Sequence, residues 1–252
     1  MKKVIKWILS TVTALFVAVV FIGAGLAVCA LPDMTTRVVS ENTSNYDASP
    51  FTQDQLANAA VATKQYTVNV HDRDQLDAVV LDINGGRDTS KLTDRYVLPE
   101  EAIGHLDDVH AVLVRAGIVL ACIAFVAILL SVLCGLWKGM FLVGDMLVEA
   151  GIIAIVIMAS CAITAFLNFN VLFNALHTVL FEEGSWVFSA DSLLITMYPQ
   201  AFWMTMGAIW AATTGILSII AIVLGIIIRN IGKRKNQTPY PFAQPGYDIL
   251  YY

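Results

Sequence analysis

Four stretches of this chain, residues 5–30, 111–136, 141–166 and 203–228, are long and apolar enough to cross a membrane. A hydrocarbon core of ~30 Å is spanned by ~20 apolar residues in a helix. Lipid offers the backbone no hydrogen-bond partners, so only a helix, which pairs its own N–H and C=O groups, suits such stretches. Composition agrees. Hydrophobic residues make up 58% of the 252 residues and charged ones 14%, with mean hydropathy +0.71. A soluble domain sits nearer half apolar and a quarter charged. The expected fold class is therefore membrane all-α, a four-helix transmembrane bundle.

Residues 4–31 are too long for the ~7–15-residue apolar core of a cleaved signal. Val28 also stands before Cys29 where a lipoprotein signal wants a small residue. This segment reads as a retained first helix, residues 1–30. Cys29, Cys122, Cys134 and Cys161 all lie inside apolar runs, which argues for reduced, buried thiols over a disulfide framework.

Basic residues near span ends set the orientation. Lys2, Lys3 and Lys6 precede the first span, Lys138 sits in the tight link Trp137-Lys138-Gly139-Met140, and Arg229, Lys233, Arg234 and Lys235 follow the last. The loop 168–202 has no Lys or Arg but carries Glu182, Glu183 and Asp191. Four spans put all the basic clusters on one face, so both termini are expected in the cytoplasm. The division expected is a first span (1–30), an extracytoplasmic cap (31–110) and a helical hairpin (111–166). An extracytoplasmic interfacial helix and loop (167–202), a fourth span (203–228) and a disordered cytoplasmic tail (229–252) follow.

The cap segment has fourteen acids against six bases and is polar enough to fold in water. Residues 52–65 have helix-forming composition. Residues 66–71 alternate, with Tyr66, Val68 and Val70 on one side and Thr67, Asn69 and His71 on the other. Residues 77–83 read as a second strand, and Asn84-Gly85-Gly86 as a turn. The expectation is a small α+β cap with a hairpin across 72–75. Pro99, Glu100 and Glu101 suit a first helical turn, and that helix is expected to run unbroken into the second span. In the second outer segment, Asn170, Asn174 and His177 share one helical face, while Leu172, Ala175, Leu176 and Val179 form the other. That pattern fits a helix lying at the membrane surface.

All four histidines, His71, His105, His110 and His177, fall on the outer side. His105 and His177 are placed where headgroups meet hydrocarbon. Asp108, three residues after His105, shares its helix face and is spaced to orient the imidazole, although on spacing alone a helix with solvated polar residues just outside the membrane is the plainer reading. Arg115, one turn into the second span, reads as snorkelling to lipid phosphate or as functional. Asp145 and Glu149, four apart in the third span, are candidates to pair with Lys138 or Arg115. Asp72, Asp74 and Asp77 lack the glycine and distal glutamate of an EF-hand loop, and no zinc-ligand spacing is present. There is no P-loop, dinucleotide turn or serine nucleophile elbow. Neither nucleotide nor nucleic acid is implied.

Two motifs carry a family resemblance. Asn174-Ala175-Leu176-His177, then Phe181, Gly184-Ser185-Trp186-Val187-Phe188, Asp191-Ser192-Leu193-Leu194 and Tyr198-Pro199 form the longer one. His105-Leu106-Asp107-Asp108-Val109 resembles the family's His-x-x-Asp-Val. Together they resemble the small bacterial membrane proteins typed by the lipoprotein intramolecular transacylase. The resemblance implies transfer of an acyl chain from the sn-2 ester of a diacylglyceryl lipoprotein to its N-terminal cysteine amine, giving a lyso-form lipoprotein. It implies no cofactor, with lipoproteins and membrane lipids as partners. By the same resemblance His105, His177 and Asp108 are the catalytic candidates, and Tyr66, Asn174, Trp186, Asp191 and Tyr198 the substrate-binding ones. For Trp186 and Tyr198, interfacial anchoring is the competing reading. The alternative function is a non-catalytic membrane sensor, or an assembly or transport accessory protein, with a binding cap.

Overall fold

In the computed structural model, which describes residues 2–235, the chain forms nine α-helices. In order they are α1 (Lys2–Ala30), α2 (Asp33–Thr43), α3 (Gln53–Val68), α4 (Arg73–Ile83) and α5 (Glu100–Lys138). Then come α6 (Met140–Leu167), α7 (Phe169–Leu180), α8 (Leu193–Met197) and α9 (Gln200–Lys235). Helices α1, α5, α6 and α9 are long and apolar enough to cross a membrane, so the chain is a multi-pass membrane protein. The disorder expected for the tail falls largely outside the described residues.

The bundle closes through small residues. A Cβ added to Gly144 of α6 would lie 2.6 Å from the backbone of Arg229 and of Gly225, and one on Gly225 would lie 2.7 Å from the Gly144 carbonyl. Gly151 and Gly232 meet the partner helix as closely. Without a hydrophobic drive between helices in lipid, such close approach supplies van der Waals contact that bulkier residues would block. Ala14 and Ala18 of α1 pack on Ala150 and Ala154 of α6. Trp210 donates from Nε1 to the Ile22 carbonyl at 2.8 Å, fixing α1 to α9. Asp145 pairs with Arg229 at 3.6 Å, and not with Arg115, because the α6–α9 contact brings those two to one level. Helices α5 and α6 are separated by Gly139 alone, whose φ of +81° is a region glycine enters without strain. All four thiols are free, but only Cys29 and Cys134 are buried; Cys122 and Cys161 lie on the bundle's outer surface, where an apolar run meets lipid instead of protein.

The cap corrects the expected α+β reading. No strand occurs among the described residues. Tyr66 and Thr67 continue α3, which begins in a capping box at Thr52 and Gln55 and ends at Val68. The alternation seen in sequence stops there, and Val70 is 61% exposed. Residues 77–83 are helical because Asp72 caps the chain, accepting from the backbone N–H of Asp74 and Gln75. Leu76, Val80 and Ile83 then bury one face at helical spacing. Asn84-Gly85-Gly86 does turn the chain, with φ of +66° and +70° at the two glycines, but it ends a helix and not a strand.

The two outer segments share one core. Leu56, Ala60, Leu76 and Val80 pack with Ala102, Ile103 and Leu106 of α5 and with Leu193, Leu194 and Met197 of α8. Backbone bonds from Asn45 to Thr196 and from Leu193 to Asp94 tie them further. The first turns of α5 therefore belong to the cap. At 39 residues α5 runs about 58 Å, well beyond a hydrocarbon core. Residues 100–110 stand clear of its apolar part, and His105 rides on that extension.

Candidate active site

His105 projects from α5 and His177 from α7, and their ring centroids lie 6.1 Å apart at an interplanar angle of 26°. Helix α7 starts with Asn168, whose side chain accepts from the Val171 N–H, and this cap sets the helix off from the end of α6. Phe173 stacks on His177 at 3.8 Å, and Phe181 packs against both imidazoles at 4.9 and 5.4 Å. Phe188 adds an aromatic wall beside His105 at 5.8 Å, and Trp186 approaches His177 at 5.7 Å. The imidazoles thus sit in an aromatic nest built by α5, α7 and the turn 182–188.

This setting fixes their protonation. His177 Nδ1 lies 2.8 Å from the Phe173 carbonyl oxygen, which can only accept. Nδ1 therefore carries the hydrogen and Nε2 keeps its lone pair. Burial pushes the His177 pKa below that of a free imidazole, opposed by the bond to Phe173. His105 is pushed down to about 4, by burial first and then by its neighbour His177, with Asp108 opposing. Both rings are neutral at neutral pH. His105 Nδ1 is buried and has no hydrogen-bond partner among the described residues.

Beside His105 opens a cleft of about 660 Å³, lined by Glu101, Gly104, His105, Asp107, Asp108 and the loop residues Gly184, Ser185, Val187 and Phe188. His177 does not line this wall; it reaches the cleft only through its approach to His105. Asp108 lines the cleft and acts on His105 through its field, without a hydrogen bond that would hold the ring.

The remaining candidates are spread around this centre. Trp186 belongs to the nest. Asn174 is exposed on α7, one turn before His177. Tyr66 stands behind the cleft, where its hydroxyl donates to Asp107; burial and that carboxylate push its pKa up to about 12. Asp191 is exposed and accepts from the Ser189 hydroxyl. Tyr198 donates to the Ala60 carbonyl and packs edge-on against Phe202, so it clasps α3 to the root of α9, away from the imidazoles.

Several cleft residues stood in the sequence motifs but not among the candidate site residues. Ser185 is one: it lines the cleft with a buried hydroxyl that has no partner among the described residues. In the sequence it stands inside the longer motif, directly after the turn glycine. Asp107 is another, overshadowed by Asp108 at the more obvious i+3 spacing. Among the described residues, no group of three or more His, Cys, Asp or Glu is arranged to hold a metal ion.

Comparison with known proteins accords with this arrangement. The chain resembles the solved lipoprotein intramolecular transacylase of Bacillus cereus, with a TM-score of 0.71 over 93% of this chain and 99% of that one, at 16% identity. A form of that protein carrying a histidine-to-alanine mutation gives a TM-score of 0.69 at 16% identity, over 94% and 98% of the chains. An uncharacterised protein of Aquifex aeolicus strain VF5 is 28% identical over 92 residues, a match spanning 36% of this chain and 43% of that relative's length. The sequence pattern of the family described as lipoprotein intramolecular transacylase, Lit, matches residues 8–203, from α1 to the root of α9. That span contains both imidazoles and the whole cleft, and the chain belongs to the Lit family of lipoprotein intramolecular transacylases.

Proposed function

We propose that this protein moves an acyl chain from the sn-2 ester of a diacylglyceryl lipoprotein to the α-amine of its N-terminal cysteine, at the outer face of the membrane. The observation that supports this most is the approach of two neutral imidazoles at 6.1 Å beside an open cleft, in a member of the family. Both termini are assigned to the cytoplasm, as the basic span ends require. The functional division keeps the spans as scaffold and the two outer segments as the catalytic cap.

Converting an ester to an amide is downhill and needs no external reagent. The amine nitrogen attacks the ester carbonyl carbon, a C–N bond forms, and the bond from that carbon to the glycerol oxygen breaks. The amine proton passes to a base and then to the departing oxygen. A free α-amine has a pKa near ~8, so a base that is itself unprotonated at neutral pH suits the task. His177 is assigned as that base, since its Nδ1–H is engaged by Phe173 and its Nε2 lone pair is left available. His105 donates to the developing oxyanion, with Asp108 tuning its charge; the Ser185 hydroxyl is a second donor. Trp186 and Asn174 border the substrate and Tyr66 holds Asp107 from behind the cleft, while Asp191 and Tyr198 act at a distance by holding the loop and the cap.

The test uses the full chain in a lipid bilayer with two synthetic diacylglyceryl lipopeptides that differ in peptide sequence and in acyl isotope label. Each peptide should acquire only its own label on the amine. Scrambled labels would exclude intramolecular transfer, and absence of any amide product would exclude the reaction.

A further inference from the structure

The wall of the cleft is acidic on a scale the acyl transfer does not itself call for. Glu101, Asp107 and Asp108 face it, and no lysine or arginine lines it among the described residues. Of the three carboxylates, Asp107 is the one held in place. The Tyr66 hydroxyl donates to its Oδ1, and His71 Nε2 lies 3.7 Å from the same oxygen. Oδ2 has no partner among the described residues, and the side chain is 50% exposed. His71 is in turn gripped, with its Nδ1 on the Tyr66 carbonyl and its ring stacked on His110 at 3.9 Å. The carboxylate is therefore aimed by structure behind the cleft, with one oxygen free.

An independent feature sits beside it. Gly104 lies within α5, where glycine weakens a helix relative to alanine. Packing gives no reason for it: a Cβ added there meets nothing within 4 Å. Gly104 also lines the cleft. Three residues apart, Gly104 and Asp107 share one strip of the helix, next to the strip that carries His105 and Asp108. The helix thus presents a bare ledge ending in a fixed carboxylate, alongside the imidazole.

Taking the acyl-transfer reading as its premise, we infer that Asp107 docks the α-ammonium of the lipoprotein's N-terminal cysteine, with Gly104 keeping the ledge clear for that residue's backbone. The α-ammonium is the one cation at the substrate's reacting end, and a carboxylate beside it supplies a charge-assisted hydrogen bond. The ammonium gives one proton to water through the base before attack, and the resulting amine proceeds as above. Charge also separates substrate from product. The amide formed carries no positive charge, so the ledge holds the free-amine form and releases the N-acylated one.

The experiment measures turnover of a diacylglyceryl lipopeptide by the full chain in bilayers, with the unreactive N-acetyl analogue as competitor. The wild type should favour the free amine over the analogue. Asp107→Asn should raise KM about tenfold or more, the effect of losing a charged hydrogen-bond partner, with kcat falling less. Preference over the analogue should disappear, and Asp107→Glu should restore part of both. Tyr66→Phe, which frees the carboxylate without removing it, should fall between. Unchanged KM and unchanged preference in Asp107→Asn would overturn the assignment while leaving acyl transfer intact. A wild type that forms no lyso product would instead overturn the acyl-transfer reading, and this inference with it. Should Asp107→Asn fail to fold, Gly104→Ala decides: a raised KM in a chain no less thermally stable supports the ledge, and an unchanged KM refutes it.

Discussion

His177 is held at one ring nitrogen and available at the other. Phe173 takes the Nδ1 hydrogen and stacks on the ring, and Phe181 and Trp186 pack beside it. Replacing a general base costs typically about 10²–10⁴ in rate. His177→Ala should therefore lower lyso-lipopeptide formation by that order while the chain stays monodisperse, since no buried contact of the cap core depends on it. Loss of less than about tenfold would remove His177 from the role. The pH behaviour follows from the direction of the shifts. Both rings have folded pKa values below the ordinary 6.5, with His105 at about 4. The unfolded chain then binds protons that the folded chain refuses, so stability is full above 6.5 and falls as pH drops toward 4. Imidazole ¹⁵N shifts should titrate with both midpoints below 6.5, and a midpoint at or above 6.5 for either ring would contradict the burial described. These two histidines were legible in the sequence because the spans locate the membrane surface and both fall beside it. Asp107, Ser185 and Phe188 stood in the motifs, but their place in the cleft was not legible, because it depends on how the loop 182–188 folds against α5, which no local spacing encodes.

At the level of elements, the cap shows how a short alternating run misleads. Three alternating residues at 66–70 are also compatible with the end of a helix, and α3 had already been nucleated by its capping box upstream. In α4 the decisive signal was Asp72, read from sequence as a turn residue and found as an N-cap. Asp72→Ala should cost about 1 kcal/mol of stability, the usual worth of such a cap, measured as a lowered thermal midpoint with helical circular dichroism retained. A strand at this place would lose nothing. The spans were far more legible, because length and apolarity alone dictate them. Their packing was not: Gly144 and Gly225 read as ordinary membrane glycines until their backbones are seen in contact. Gly144→Leu should separate α6 from α9 and abolish a monodisperse folded species in gel filtration, whereas the same change at Gly117, which a Cβ would leave clear of any neighbour, should be tolerated.

Across the whole molecule, two outer segments from distant parts of the chain close into one cap that rests on four spans. Helix α8 enters the core made by α3, α4 and α5, and α7 carries His177 back to His105. The spans anchor the chain; the first turns of α5, outside its apolar part, join that anchor to the chemistry. In the proposed topology the cap faces outward and the basic ends inward. Reporter fusions at either terminus should accordingly be active only in the cytoplasm, and an outward-facing terminus would invert the proposed topology. The most direct measurement is mass spectrometry of lipoprotein N-termini from cells whose lipoproteins are otherwise diacylated. Expressing this chain should produce N-acylated lyso peptides, and expressing His177→Ala at equal level should not. Lipoproteins that all remain in the diacyl form with the wild-type chain present would contradict acyl transfer as its function.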